Sequence, residues 1–267
     1  MRRYLALLIA VLAPLTHSAD KLKVEDVIAK HLASIGTPEA RAAAGTRLLT
    51  GNVEMKEVVG GSSTQRGTAS FACDARRIKV DMKFPGSSLY PFGEQWLFNG
   101  KQPQVAFTAS GTRSVLGSVL YHYPDALREG LLGGSMCTSW AFLDPKVRDA
   151  KLRYNGLKKV DGRELHELSY SPRNGTGMTI RLFFDPETFR HVKTKYLMVV
   201  PAGASDAAAV HTEDVRYMID EDFADFQTAD GLTLPSLWTI HVEVQPNKTS
   251  VLEWRIKMDK LQNNAEL

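Results

Sequence analysis

Apolar and polar residues alternate with a period of two along most of the chain from residue 47 onward. The alternation is clearest in residues 49–55, 69–73, 78–84 and 178–184. Successive side chains of a strand point to opposite faces, so this pattern predicts strands with one apolar face and one face in water. We predict about ten such strands on this basis.

Short turn signals separate these strands. Asn99-Gly100 and Asp161-Gly162 are typical of two-residue hairpin turns, and the Asp-Pro-Glu-Thr run at 185–188 is typical of a type I turn. Further turns are expected at Asn174-Gly175 and Asp230-Gly231. Parallel strands need crossovers of about a dozen residues, so short turns favour a long antiparallel sheet.

Two helices precede the strands. Residues 20–35 place Val24, Val27, Ile28, His31, Leu32 and Ile35 on one helical face. Gly36 ends this helix, and Thr37 and Pro38 predict the cap and first position of a second, short helix.

A helical insert interrupts the strands at residues 112–135. Val115, Leu116, Val119 and Leu120 fall at helical spacing, and a second helical turn carries further leucines. The second group comprises Leu127, Leu131 and Leu132. Only the N-terminal helix and this insert are available to cover the apolar face of the predicted sheet.

The apolar face carries many large side chains. Packing against the N-terminal helix accounts for most of them, but one helix covers only about 10 Å of width. The excess favours a lipid-sized apolar cavity under the insert. The expected cavity and lid residues are Leu116, Val119, Leu120, Leu127, Leu131, Leu132, Trp96, Phe98 and Phe107.

The first 19 residues have the parts of a secretory signal. Arg2 and Arg3 precede an apolar run, and small residues follow it. We therefore expect an exported, soluble periplasmic protein in which residues 20–267 form one domain. No Cys lies near the predicted cleavage site, so we expect no bacterial lipid anchor.

Cys73 and Cys137 are the two cysteines. An oxidising compartment permits a disulfide bond between them, and two independent buried thiols are the alternative. The sequence alone does not decide between the two.

The residues offer little catalytic chemistry. The seven histidines are scattered, and Gly133–Cys137 lacks the second glycine of a nucleophile elbow. We interpret the paired carboxylates Glu221 and Asp222 as surface charge. We expect no metal, no cofactor and no enzymatic activity, and the formal charge of +3 gives no reason to expect nucleic acid.

Several of these features together resemble a known family. The order of export signal, helix, antiparallel meander, helical insert and second meander resembles the outer-membrane lipoprotein-sorting proteins of the LolA/LolB type. It is also similar to the N-terminal domain of the envelope-stress regulator RseB. Residues 160–168, the run Leu-Phe-Phe-Asp-Pro-Glu-Thr at 182–188 and the segment 226–235 resemble the turn signatures of that family.

The resemblance implies a mainly β fold with some helix, in which the sheet curls into an unclosed half-barrel under a helical lid. It implies a monomeric, non-catalytic carrier of a lipid or lipoprotein acyl chain that touches membrane surfaces transiently. An envelope interaction or sensor protein with a protein partner is the alternative. The family's lid-latching arginine has three candidate positions here, Arg47, Arg66 and Arg76.

Overall fold

The computed structural model describes residues 22–59, 63–85, 93–107, 113–143, 149–203, 213–245 and 251–266. The predicted signal at 1–19 lies outside these residues, as do the first residues of the predicted helix and of the predicted insert. The Phe107 side chain is also outside the described part of the structure.

Two helices and twelve strands make up the main framework. The helices are α1 (Val24–Ile35) and α2 (Pro38–Ala43). The first strands are β1 (Arg47–Val59), β2 (Thr64–Cys73), β3 (Ile78–Lys83), β4 (Gly93–Phe98) and β5 (Pro103–Phe107). The later strands are β6 (Lys151–Val160), β7 (Arg163–Ser171), β8 (Thr179–Phe184), β9 (His191–Val200), β10 (Val215–Ala229), β11 (Leu232–Gln245) and β12 (Val251–Asn263).

All the strands belong to one antiparallel sheet in the order β5-β4-β3-β2-β1-β12-β11-β10-β9-β8-β7-β6. The sheet is an open half-barrel, because its edge strands β5 and β6 pair with each other nowhere in the described residues. The first and last strands meet in the middle, where Arg47 lies opposite Asn263. We call this β1–β12 pairing the seam.

Most of the predicted local structure is confirmed. Thr37 caps α2 by accepting a hydrogen bond from the Ala40 N–H at 3.2 Å. Asp161 and Gly162 have the positive φ angles of a tight turn, 50° and 82°. The two-residue turn predicted at Asn99-Gly100 is wrong in detail: the four residues 99–102 connect β4 and β5, and the Asn99 side-chain oxygen accepts from the N–H groups of Lys101 and Gln102.

The insert of the structure is longer than the sequence predicts. It contains α3 (Val115–His122), α4 (Asp125–Arg128) and a 3₁₀ turn (Gly134–Met136), and it continues in irregular structure to residue 143. We call residues 113–143 the insert. It connects β5 to β6, which lie at opposite edges of the sheet, so this part of the chain must cross the concave face.

Candidate functional site

The apolar side chains of the insert lie against the concave face of the sheet. Leu116, Val119, Leu120, Leu127, Leu131 and Leu132 are each 0–3% exposed. They join one apolar cluster that includes Trp96, Phe98 and residues from α1 and both halves of the sheet. The structure thus brings the predicted lid residues together with the predicted sheet residues, and shows the concave face covered.

Three buried residues of this cluster lie after the predicted end of the insert, and the sequence pattern does not predict them. Met136, Trp140 and Phe142 are all fully buried. Met136 ends the 3₁₀ turn, and Trp140 and Phe142 lie in irregular structure, where the sequence carries no helical or strand period. The bulk of Trp140 and Phe142 between two predicted elements is the only signal that marks them.

Trp140 joins the end of the insert to helix α1. Its Nε1–H donates to His31 Nε2 at 2.9 Å, and His31 Nδ1 lies 3.0 Å from the Phe189 carbonyl oxygen. His31 is therefore a neutral ring that accepts on one nitrogen and donates on the other. Burial lowers the pKa of His31 to about 4, with a smaller contribution from the charge of Arg41.

A buried carboxylate in β10 binds the insert backbone. Glu221 Oε1 accepts from the Gly133 N–H at 2.8 Å and from Trp238 Nε1 at 2.9 Å, while Oε2 accepts from the Tyr196 hydroxyl. Burial raises the pKa of Glu221 to about 7, and the charge of Asp222 adds to this against the three hydrogen bonds. Glu221 therefore ties two strands and the insert together.

The interpretation of Glu221 as surface charge is wrong. Ile219, Glu221 and Phe223 share the concave side of β10, and all three are buried. The alternation of β10 already places Glu221 on the concave face. The interpretation as surface charge relied instead on the charged residue type, which was misleading here. Asp222 does face outward, where it binds Lys193 at 2.8 Å.

A buried arginine binds the insert from the seam. Arg47 is 4% exposed, and its Nη1 donates to the carbonyl oxygens of Ser135 at 3.2 Å and Met136 at 2.8 Å. Its Nε donates to Asn263 Oδ1 at 3.1 Å. The guanidinium thus satisfies carbonyls of the 3₁₀ turn, where a helix end leaves them unpaired.

Glu94 fixes the start of the insert. It accepts from the Ser114 N–H at 3.0 Å and the Ser114 hydroxyl at 2.6 Å, and Ser114 in turn caps α3 by accepting from Gly117 N–H. Burial raises the pKa of Glu94 against these hydrogen bonds. A Cβ at Gly117 would lie 1.9 Å from Glu94 Oε1, so this close approach requires glycine.

Two carboxylates of the insert reach the other half of the sheet. Asp125 Oδ2 accepts from the Thr176 N–H at 2.7 Å and its hydroxyl at 2.9 Å. Glu129 accepts from the Tyr170 hydroxyl at 2.8 Å. We call the contacts made by Glu94, Asp125, Glu129, Glu221 and Arg47 the insert latches.

Both cysteines are buried thiols at the end of the insert. Cys73 ends β2, Cys137 follows the 3₁₀ turn, and the Thr138 N–H donates to the Cys73 sulfur at 3.1 Å. A cleft of about 700 Å³ opens beside them. Phe98, Trp140 and Leu143 are among its lining residues, together with Arg76 and Arg128.

Other chemistry is sparse in the part of the chain that the structure describes. No three His, Cys, Asp or Glu side chains there come together as metal ligands. No helix among the described residues is long and apolar enough to cross a membrane.

Comparison with known proteins identifies the fold. No protein-family model matches the sequence, and no curated protein sequence matches it. A LolA superfamily protein from Nitrosomonas europaea superposes with a TM-score of 0.50 at 11% identity, over 92% of this chain and 96% of that one. The chain has a LolA-type fold.

A second solved structure, described as an outer membrane lipoprotein-sorting protein domain from Vibrio parahaemolyticus, has a TM-score of 0.49 at 12% identity. It covers 91% of this chain and 94% of that one. At 11% identity, the likeness to the Nitrosomonas europaea protein shows the fold alone and leaves function to the site.

The LolA-type fold was expected to carry a lid-latching arginine at one of three positions. Arg47 contacts the insert as described above. Arg66 is exposed and binds Glu54 at 2.9 Å, and Arg76 is exposed at a turn. Only Arg47, among the three candidates, has the geometry of a latch.

Proposed function

We propose that this protein is an exported, non-catalytic carrier that binds an acyl chain of a lipid or lipoprotein between the concave face of the sheet and the insert. One observation supports this most strongly. An apolar insert covers an apolar concave face, and the insert latches hold it there at separate points. Release of these contacts would let the insert move away and expose a large apolar surface.

The energetics favour an acyl chain as the occupant. About a dozen buried methylenes contribute on the order of 10 kcal/mol gross, at about 0.8 kcal/mol each, before ordering costs. Burying the leucines of the insert competes for the same surface. The acyl chain and the insert leucines are both apolar, and burial of apolar surface does not depend on direction. Either one is therefore able to cover the concave face.

The backbone of the insert is suited to movement. Gly130, Gly133 and Gly134 all have positive φ angles, 67°, 77° and 54°. Glycine adopts these conformations without steric cost and permits many others. We assign residues 129–134 as the segment that bends when the insert opens.

The proposed compartment is the periplasm, because residues 1–19 have the pattern of a secretory signal. N-terminal sequencing of secreted material should find Ala19 or Asp20 as the first residue. Secreted protein that begins at Met1 would contradict the export proposal.

A brominated fatty acid tests the site in the unmodified protein. All four tryptophans of the chain, Trp96, Trp140, Trp238 and Trp254, are buried in the concave cluster. Bromine quenches tryptophan fluorescence on close contact, so we expect saturable loss of most of the fluorescence. The non-brominated analogue is the control and should compete for the same site.

Absence of quenching, together with no lipid extracted from natively purified protein by mass spectrometry, would reject the carrier proposal. The interaction-protein alternative would then be favoured. Probe binding without quenching would place the lipid elsewhere on the molecule and would also reject the proposed site.

A pair of charged variants gives a second test. Replacing Leu116 and Leu120 with Asp puts two carboxylates against the acyl site, each costly to desolvate. We expect loss of probe binding. The matched control adds the same charges at Leu197 and Val199, which are 37% and 46% exposed, and should bind normally.

Far-ultraviolet circular dichroism of the Leu116/Leu120 and Leu197/Val199 variants checks that each of them folds. If the Leu116/Leu120 variant unfolds, the quenching experiment on the unmodified chain still decides the location of the site.

A further inference from the structure

Two thiols meet where the insert leaves the concave face. Cys73 is the last residue of β2, and Cys137 directly follows the 3₁₀ turn of the insert. The N–H of Thr138, the residue after Cys137, donates to the Cys73 sulfur at 3.1 Å, and both cysteines are buried. The two cysteines therefore lie close together in the fold, although their positions differ by 64 in the sequence.

The surroundings make the two thiols unequal. Burial raises the pKa of Cys73, but hydrogen bonds from Cys137 and Thr138 and the nearby charge of Arg47 bring it below its ordinary value. Burial holds the pKa of Cys137 well above its ordinary value, and the neighbouring Cys73 adds to this. Such a pair has one sulfur suited to begin an exchange and one suited to complete it.

We propose that Cys73 and Cys137 are the site of a disulfide bond that fixes one end of the insert to β2. The bond would leave residues 113–134 as the part that moves or bends and would hold residues 137–143, including Trp140, against α1. The division of the insert into a moving part and a held part rests on the proposed function, whereas the disulfide bond itself does not.

The bond forms by thiol–disulfide exchange with an external disulfide, either of a dithiol oxidoreductase or of a small thiol. The Cys73 thiolate attacks one external sulfur, the external S–S bond breaks, and the departing thiolate takes up the proton that Cys73 released. The Cys137 sulfur then attacks the mixed disulfide at Cys73, and its proton goes to the second departing thiolate. Two electrons pass from the cysteines to the external disulfide, which leaves as two thiols.

The cleft beside the insert provides an approach to this site. Thr138 and Ser139, which both hydrogen-bond to the cysteine sulfurs, line it together with Ala75 and Arg76. Because the sulfurs themselves are covered, exchange requires a small displacement of residues 137–139. The reaction rate therefore also reports the opening of this end of the insert.

The experiment uses the full mature chain, purified reduced and then incubated with oxidised glutathione. Free thiols are then trapped with N-ethylmaleimide in denaturant, so that buried thiols also react, and the intact mass is measured. We expect no trapped thiol in the folded protein. Cys73→Ser and Cys137→Ser should each keep one thiol, trapped or glutathionylated, and the chain unfolded in urea should form at least tenfold less of the internal bond.

Two trapped thiols in the folded protein, or equal bond formation in urea, would overturn the disulfide site. Hydrogen exchange of the oxidised and reduced forms tests the location of the hinge. We expect oxidation to slow exchange in 137–143 and to leave both exchange in 115–122 and uptake of the brominated fatty acid unchanged.

If oxidation abolishes an uptake that the reduced form shows, the bond lies in the moving part and the assigned hinge is wrong. If neither form takes up the probe, the proposed function fails while the mass measurement still decides the disulfide.

Discussion

Single residues hold the insert through buried charge. Glu94, Asp125, Glu129, Glu221 and Arg47 are all buried, and each has hydrogen-bond partners on the opposite element. Removing one partner of a buried charge costs more than the bond itself, since the remaining group keeps its desolvation penalty. The latches therefore act as specific attachment points on an otherwise non-directional apolar contact.

The raised pKa of Glu221 makes one latch sensitive to pH. Its pKa lies at about 7 in the folded protein and near 4.5 when unfolded. Between these values the folded state binds the extra proton, so the contribution of Glu221 to stability falls as pH rises from about 4.5 to about 7. At 1.36 kcal/mol per pKa unit, the change is on the order of 3 kcal/mol.

Replacing Glu221 with Gln should remove this dependence. The buried histidines change stability in the opposite direction over an overlapping range, so the quantity to follow is the difference between variant and wild type. We expect Glu221→Gln to gain stability relative to wild type between pH 5 and pH 7.5 in urea unfolding. Glu164→Gln, exposed near the start of β7, is the control and should give a constant difference.

At the scale of elements, the insert depends on the sheet for its stability. Its helices are short, four to eight residues, and draw their stability from packing on the sheet rather than from their own hydrogen bonds. Weakening a latch should therefore release a whole segment of the insert and leave the strands intact.

Arg47→Met tests this directly. The variant keeps the length and apolar stem of the side chain but leaves the carbonyls of Ser135 and Met136 without their donor. We expect faster hydrogen exchange at residues 131–137 and faster uptake of the fatty-acid probe. Arg66→Met, on the outer face of the neighbouring strand, should change neither rate, and equal effects of the two variants would argue against the latch.

The close approach of the two strands of the seam depends on a glycine in β1. A Cβ at Gly51 would lie 1.9 Å from the Lys257 carbonyl oxygen, at a register shift in the seam. The backbone oxygen cannot move away without breaking the pairing, so we expect Gly51→Ala to lose about 2 kcal/mol or more in urea unfolding. Gly45→Ala, where the nearest atom is 3.7 Å away, is the matched control and should be close to neutral.

The local pattern of apolar and polar residues predicts much of this structure. It fails where a residue's role depends on contacts with residues far away in the sequence. Alternation located the strands, since each buries one face. It could not reveal that Trp140 and Phe142 are buried, because irregular chain has no period to detect. The latch role of Arg47 also depends on insert carbonyls 88 residues away, and nothing local distinguishes Arg47 from Arg66.

For the whole molecule, the topology explains why an insert covers the concave face at all. The two halves of the chain each build outward from the seam, one ending at β5 and the other beginning at β6. A connection between opposite edges of an open sheet has to cross it. An insert that spans the sheet is thus a consequence of the strand order and would be expected in any chain with this order.

The seam also determines what the chain exposes while it is being made. Arg47 and Asn263 are 216 residues apart, so β1 remains an open strand edge until almost all of the chain has emerged. Unpaired edges recruit other strands, and distant pairings form slowly. A nascent chain that has completed β1–β5 alone is therefore a template for misassembly, and its survival until β12 arrives depends on how quickly the rest of the sheet follows.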